Sequence, residues 1–264
     1  LFNGCISLVQ VEIPSSVTSI GKYAFNNCEC LSSVVIPSSV VSIGIYAFNN
    51  CNSLTELIIP DSVEHIGEYA FTKCSSLTKI NVSTSLVQIR RNVFEECSSI
   101  KEVKIPSNEL FLRMHCFRNC SSLDQISLPS TLTSIGLCAF WCCTSLTKLT
   151  IPSSVTEVAE YAFSGCTSLV SVEIPSSITN LAEGTFSGCS SLASVYIPLN
   201  MTYIGMYAFA ECSSLITISI PESVIFIGKF AFRNCISLKN VYISAASPLI
   251  GKYSFPNCST LITE

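Results

Sequence analysis

Charge is what this sequence has least of: Asp, Glu, Lys and Arg make up 12% of its 264 residues, against 48% apolar. That balance excludes a disordered chain, which stays open because it is polar and charged. It raises the question of a membrane, yet no apolar run approaches the roughly 20 residues that a spanning helix needs. Apolar runs, such as Val34-Val35-Ile36 and Leu57-Ile58-Ile59, are only a handful of residues long, so this segment is not expected to insert into a bilayer. Basic residues are scarce too. A net charge of -4 and a pI near 5.3 leave no basic stripe, and nucleic acid is not an expected partner. Histidine occurs twice, as His65 and His115, at non-equivalent positions. There is no G-x-S-x-G, no phosphate loop and no paired acid, so the usual makings of a catalytic nucleophile and base are missing. The expectation is a chain that is not an enzyme and holds no cofactor. A charged-then-apolar leader is also lacking. The opening Leu1-Phe2-Asn3-Gly4-Cys5 matches the interior of a repeat, which reads as a segment of a longer chain without its caps.

What is present is a period. Twelve of sixteen cysteines fall at Cys5, Cys28, Cys51, Cys74, Cys97, Cys120, Cys143, Cys166, Cys189, Cys212, Cys235 and Cys258, always 23 residues apart. Phenylalanine keeps step three residues earlier, from Phe2 and Phe25 to Phe255. A fixed period in the twenties marks a solenoid of stacked coils. A lone coil cannot cover its own apolar flanks, so residues 1-264 are expected to stack as a single solenoid of about eleven coils.

Within one unit, Leu31, Val34 and Ile36 form an L-x-x-L-x-L pattern, and the alternation of Val34 and Ile36 places a short strand there with those side chains inward. Proline follows in nine of eleven units, as at Pro37, and stops the strand. A second apolar pair such as Val40 and Ile43 suggests a second extended segment. The glycine after it, present in seven of eleven units, suits a turn requiring positive φ. The spacing of Ala47, Phe48 and Cys51 predicts a single helical turn that closes the coil.

The unit C-x-S-L-x-x-V-x-I-P-S-S-V-x-x-I-G-x-Y-A-F-x-x-C resembles the BspA-like leucine-rich repeat family over essentially the whole chain. The resemblance implies a leucine-rich-repeat solenoid: a curved parallel β-sheet on the concave face, with short second strands and single helical turns on the other sides. It also implies surface or secreted proteins of bacteria and protozoan parasites that adhere to host or matrix proteins, with no catalytic residues to carry over.

Sixteen cysteines pose a choice between thiols, disulfides and metal. In-register coils hold the ladder Cβ atoms about 4.8 Å apart, while a disulfide wants about 3.5 to 4.5 Å. The ladder therefore reads as buried free thiols acting as small apolar groups. Cys30, Cys116, Cys138 and Cys142 stand outside it. Three of these gather with His115, Cys120 and Cys143, which keeps a disulfide through Cys138 or Cys142, and a zinc site, as alternatives.

A partner would meet the positions the core does not dictate. The outward column Glu12, Val35, Ile58, Asn81, Lys104, Ser127, Thr150, Glu173, Tyr196, Ser219, Tyr242 is one. The column two residues earlier, which includes Lys148, is the other. Tyr196 and Tyr242, with Ile216 beside them, put aromatic and apolar area on a polar face. Strand propensity explains a tyrosine or a Val35-Ile58 pair equally well. The repeat is most disturbed between Ser83 and Arg118. There Arg90 and Arg113 replace the glycine in consecutive coils, an arrangement an anionic ligand would relieve, and Glu109 takes an apolar position. Glu95, Glu96 and Glu109 nearby offer a plainer compensation. The expected function is non-catalytic protein binding at the cell surface or after secretion, to host, matrix or microbial proteins. An intracellular, cytoplasmic scaffold is the alternative. Sequons at Asn81, Asn119, Asn200 and Asn257 are compatible with secretion.

Overall fold

The structure, a computed structural model, describes residues 1-244, 248-256 and 260-263, so the ladder residue Cys258 and the sequon at Asn257 lie outside the described residues. The chain packs as two units, Leu1–Leu132 and Thr133–Glu264, built in the same way. In the first, three-residue strands recur at Gln10–Glu12, Ser33–Val35, Glu56–Ile58, Lys79–Asn81, Glu102–Lys104 and Gln125–Ser127. Their pairing is parallel, with Val11 opposite Val34, Leu57 opposite Ile80 and Ile80 opposite Val103, one period apart each time. The second unit repeats this at Lys148–Thr150, Ser171–Glu173, Ser194–Tyr196, Thr217–Ile220 and Asn240–Ile243. Its last pairing, Val241 opposite Leu261, falls short of a full period.

Strand residues alternate exposed, buried, exposed, as a period of two requires, and the inward ones line the core. Equivalent side chains queue in files. Phe25, Phe48, Phe71 and Phe94 stack at centroid distances of 5.1, 5.6 and 5.8 Å, and Phe140, Phe163, Phe186 and Phe209 at 5.3, 5.6 and 5.7 Å. Each such contact adds about 0.5 to 1.5 kcal/mol to what ring burial provides.

The cysteine file does more than fill space. Cys51 Sγ donates to Phe25 O at 3.2 Å, and the same bond recurs from Cys74 to Phe48, Cys97 to Phe71, Cys189 to Phe163 and Cys212 to Phe186. Phe25 O also accepts the Cys28 N–H at 3.2 Å, so one carbonyl receives a donor from its own coil and a thiol from the next. Burial pushes the Cys51, Cys189 and Cys212 thiols up from their ordinary pKa, and that of Cys235 to about 12. Among the described residues no cysteine forms a disulfide. Cys5 departs from the buried ladder and is exposed.

Two local expectations differ from what is found. The closing segment is a run of turns, with no helix assigned among the described residues. Tyr46 and Asn50 have φ of 56° and 60°, and equivalent residues in the other coils are also left-handed. These reversals aim N–H groups at the next coil: Tyr46 N–H reaches Glu68 O, Phe48 N–H reaches Ala70 O and Asn50 N–H reaches Thr72 O. A helix would spend those donors within itself. The side chains stack as well, Tyr23 on Tyr46 and Tyr46 on Tyr69. Gly184 stands in this column without a side chain, and the Tyr161 ring fills the space, its hydroxyl donating to Glu183 Oε1.

The glycine after the second apolar pair, in turn, is not left-handed. Positive φ among glycines occurs at Gly4, Gly165, Gly184 and Gly188 instead. A Cβ on Gly67 would lie 2.5 Å from Ile45 N and 2.6 Å from Gly44 C. The residue is needed because adjacent coils touch backbone to backbone there. The short strands beside it, Ser19–Ile20, Ser42–Ile43 and His65–Ile66, pair in register, as do Asn180–Leu181, Tyr203–Ile204, Phe226–Ile227 and Leu249–Ile250. The bond from Gly67 N–H to Ile43 O, 2.8 Å, recurs at Gly44, Gly205, Gly228, Gly251 and Ala159. It has no counterpart at Arg90, Arg113 or Ala182, where a side chain takes the place of the glycine.

Candidate binding surfaces

In Thr133–Glu264, the long strands present their outward columns to solvent. Glu173 lies opposite Tyr196 on adjacent strands, and Tyr196 is 54% exposed. Tyr242 lies opposite Ser219 on one side and Ile262 on the other, and is half-buried. Ser219 stands one period from each tyrosine, so the two do not lie on neighbouring strands. Ile216, 53% exposed, lies just before its strand. Lys148, Thr150, Ser153, Ser171 and Glu173 line an open groove of about 510 Å³, its floor the paired strands Lys148–Thr150 and Ser171–Glu173. The predicted residues Lys148 and Glu173 thus share one groove. No ion pair joins them, so both charges face whatever enters.

In Leu1–Leu132, the disturbed coils hold a different chemistry. Four of the buried polar side chains, Ser83, Asn92, Glu95 and Glu109, belong to this stretch. Arg118 Nη1 meets Glu95 Oε1 at 2.7 Å, and Asn92 Nδ2 donates to Glu95 Oε2 at 2.7 Å and lies 3.2 Å from His115 Nδ1. Burial lowers the His115 pKa, against the opposing pull of Glu95. Glu109 turns inward and is 2% exposed. Its carboxylate accepts the Ile89 N–H at 2.5 Å and the Phe111 N–H at 3.3 Å, while burial raises its pKa. Glu109 therefore serves the fold, standing in for a ladder bond lost beside Arg90. Glu96, by contrast, lies in the left-handed column of the turns.

Arg90 and Arg113 remain at the surface. Arg91 and Arg118 each have a carboxylate, Glu68 and Glu95. Among the described residues, Arg90 and Arg113 have none within 4.0 Å. Arg113 instead lies over the Phe111 ring, 4.9 Å from its centroid, and donates to Gln88 Oε1 at 3.4 Å. The sequence reading did not include the apolar residues beside this pair. Val87, Leu110 and Phe111 are 53%, 46% and 39% exposed, and a second extended segment read only for its inward positions conceals them.

The other candidates are placed as follows. His65 is an exposed strand residue and His115 a turn residue, in different columns of the repeat. Cys116 is buried, Cys138 and Cys142 are half-buried and Cys30 is exposed. Among the described residues no three His, Cys, Asp or Glu side chains gather as metal ligands, and no helix is long and apolar enough to cross a membrane. Asn81 and Asn200 are exposed and Asn119 is half-buried.

Comparison with solved structures places these surfaces on a known framework. A leucine-rich repeat protein from Bacteroides ovatus is 29% identical, with a TM-score of 0.79 over 97% of this chain and 78% of that one. A leucine rich cell surface protein from Faecalibacterium prausnitzii is 26% identical, with a TM-score of 0.62 over 97% of this chain and 87% of that one. The pneumococcal vaccine antigen PcpA, 19% identical at a TM-score of 0.61, covers 97% of this chain with 68% of its own and shares the fold. No curated protein matches. The family model described as BspA type leucine rich repeat region matches residues 1-123 and 133-262 in six copies. This chain, with its parallel strands in stacked coils, is a member of the BspA type leucine-rich repeat family.

Proposed function

We propose that this chain is a non-catalytic protein-binding module, displayed at the cell surface or secreted, that grips host, matrix or microbial proteins through the outward columns of its long strands. The observation that carries the reading is a division of labour within each strand. Inward positions are aliphatic throughout, buried at Val34, Leu57 and Val172 and partly buried at Val11, Ile126 and Val195. The outward position beside them changes freely, from Val35 and Ile58 to Glu173 and Tyr196, all exposed, and is half-buried at Tyr242. A rigid ladder with an unconstrained face suits the recognition of another macromolecule. Exposed tyrosine beside charge is the residue mixture enriched at protein interfaces. The cell-surface protein of F. prausnitzii supports the location. The period runs unbroken from Cys120 to Cys143, which supports taking residues 1-264 as one module. On this reading Tyr196, Glu173 and Lys148 form the central contact, with Ile216 and Tyr242 beside it.

The test is affinity capture from solubilised host-surface and matrix proteins, with the chain and its Tyr196→Ala/Tyr242→Ala variant as baits. The double variant should retain its fold and lose the proteins the parent captures. Equal capture by both would remove the tyrosines from the site.

A further inference from the structure

We infer that Leu1–Leu132 carries a second contact surface, made by Val87, Gln88 and Arg90 of one coil with Leu110, Phe111 and Arg113 of the next, and that it takes an extended peptide in which carboxylates alternate with apolar side chains. This rests on the protein-binding reading and extends it to another side of the coil, away from the long strands.

Three observations support it. First, the repeat brings the six residues together as three matched pairs, Val87 with Leu110, Gln88 with Phe111 and Arg90 with Arg113, each one period apart. Second, neither cation has an ion-pair partner, although buried Glu109 attracts Arg113 from beyond ion-pair distance. Arg91 and Arg118 have surface or buried carboxylates of their own, whereas Arg90 and Arg113 have none within 4.0 Å among the described residues. Glu109 lies closest in sequence, but its carboxylate is buried and engaged by Ile89 and Phe111 amides. Third, Arg113 is already oriented. The Phe111 ring lies under its guanidinium at 4.9 Å and Gln88 accepts one of its hydrogens, so little freedom remains to be lost on binding.

The arrangement also breaks the rule of its own fold. Glycine at these two positions lets neighbouring coils close, as at Gly44 and Gly67. Placing Arg90 and Arg113 there coincides with loss of the ladder bond and with a coil whose Gln88-Ile89 segment is not a strand. Arginine offers a planar, two-pronged donor for carboxylate, and the flanking Val87, Leu110 and Phe111 offer apolar area within the same footprint. A nucleic acid would call for a longer basic track than two residues. An anionic bilayer would bind two arginines weakly, because each basic residue near such a surface contributes only about 1 kcal/mol.

The probe is a fluorescein-labelled Glu-Leu-Glu-Phe-Glu-Leu peptide, titrated with the full chain and followed by fluorescence anisotropy at low and at physiological salt. The same peptide with Gln in place of Glu is the control. Binding should weaken with salt and with the Gln peptide. It should fall about tenfold in Arg90→Glu and in Arg113→Glu, the loss expected for one charge-assisted hydrogen bond. Phe111→Ala should weaken it as well, and Tyr196→Ala/Tyr242→Ala should not, which separates this surface from the long-strand face. Circular dichroism of each variant reports folding. Phe111→Gln, which keeps an outward, uncharged side chain at that position, serves if alanine destabilises the coil. Affinity unchanged by both arginine substitutions overturns the proposal. So does equal affinity for the Gln peptide, or binding to phosphatidylserine–phosphatidylcholine vesicles without binding to the peptide.

Discussion

Replacing Gly67 with alanine asks whether coil contact or chain flexibility accounts for the glycine column. At a position without positive φ, alanine ordinarily stabilises by about 0.4 to 1 kcal/mol, because it restricts the unfolded chain. Gly67 has no positive φ, so on local grounds Gly67→Ala should help. The neighbouring coil reverses the sign. The new Cβ would lie 2.5 Å from Ile45 N, 2.6 Å from Gly44 C and 2.8 Å from Ile45 Cα, where ordinary contact begins near 3.4 Å. The coils must part by several tenths of an ångström, an overpacking that costs about 1 to 3 kcal/mol. The bond from Gly67 N–H to Ile43 O, 2.8 Å long, is weakened at the same time, at about 1 kcal/mol. Alanine already occupies this column twice, with the bond kept at Ala159 and lost at Ala182, so a methyl group lies at the limit of what the stack accepts. The net expectation is a loss of about 1 to 3 kcal/mol, and a larger loss for Gly67→Val. Urea unfolding followed by circular dichroism measures it, with an unchanged m-value expected. A Gly67→Ala chain as stable as the parent, or more so, would refute the backbone-contact explanation.

Two further outcomes follow from the thiol file. Cys74→Ala removes a donor to Phe48 O and a buried sulfur, and should cost about 1 to 2 kcal/mol in the same unfolding assay; a neutral result would reduce the file to space filling. Burial holds Cys51, Cys166, Cys189 and Cys212 protonated in the fold well above the unfolded thiol value of about 8.5. Their contribution is therefore complete below pH ~8.5 and declines above it, by about 1.4 kcal/mol per thiol per pH unit. Summed over the file, this should produce cooperative unfolding as reductant-protected protein is taken from pH 8 towards pH 10. Stability that stays level across that range would contradict the buried-thiol assignment.

Much of the fold was legible because its information is periodic. The inward residues Leu31, Val34 and Phe48 and the outward Glu173 and Tyr196 follow from a period of two within a strand and of 23 between strands. What escaped the reading lies between coils. Glycine was the right residue for the wrong reason, since its constraint comes from a backbone one period earlier. The thiol bonds join residues 26 apart, and nothing in a single unit distinguishes a donor from a small apolar group. One signal for the left-handed turns was there: Gly4, Asn27, Asn50, Asn119, Gly165, Gly188 and Asn234 precede the ladder cysteine, and asparagine and glycine favour that conformation. The companion position held by Tyr23, Tyr46 and Tyr69 had no such signal. A tyrosine is strained there, and ring stacking with the next coil offsets the strain. The Arg90–Arg113 pair was visible as an anomaly, whereas its apolar flank was not.

The stacking itself is open to direct measurement by spin-label distances in the full chain, with exposed Cys5 and Cys30 replaced by serine and labels attached at Gln10 together with Lys79, Glu102 or Gln125. These outward positions lie three, four and five coils apart in one file. In-register coils give attachment-point separations near 14, 19 and 24 Å, rising by about 4.8 Å per coil. Separations that fail to increase in regular steps, or that spread broadly around 30 Å or more, would contradict coils laid one directly on another.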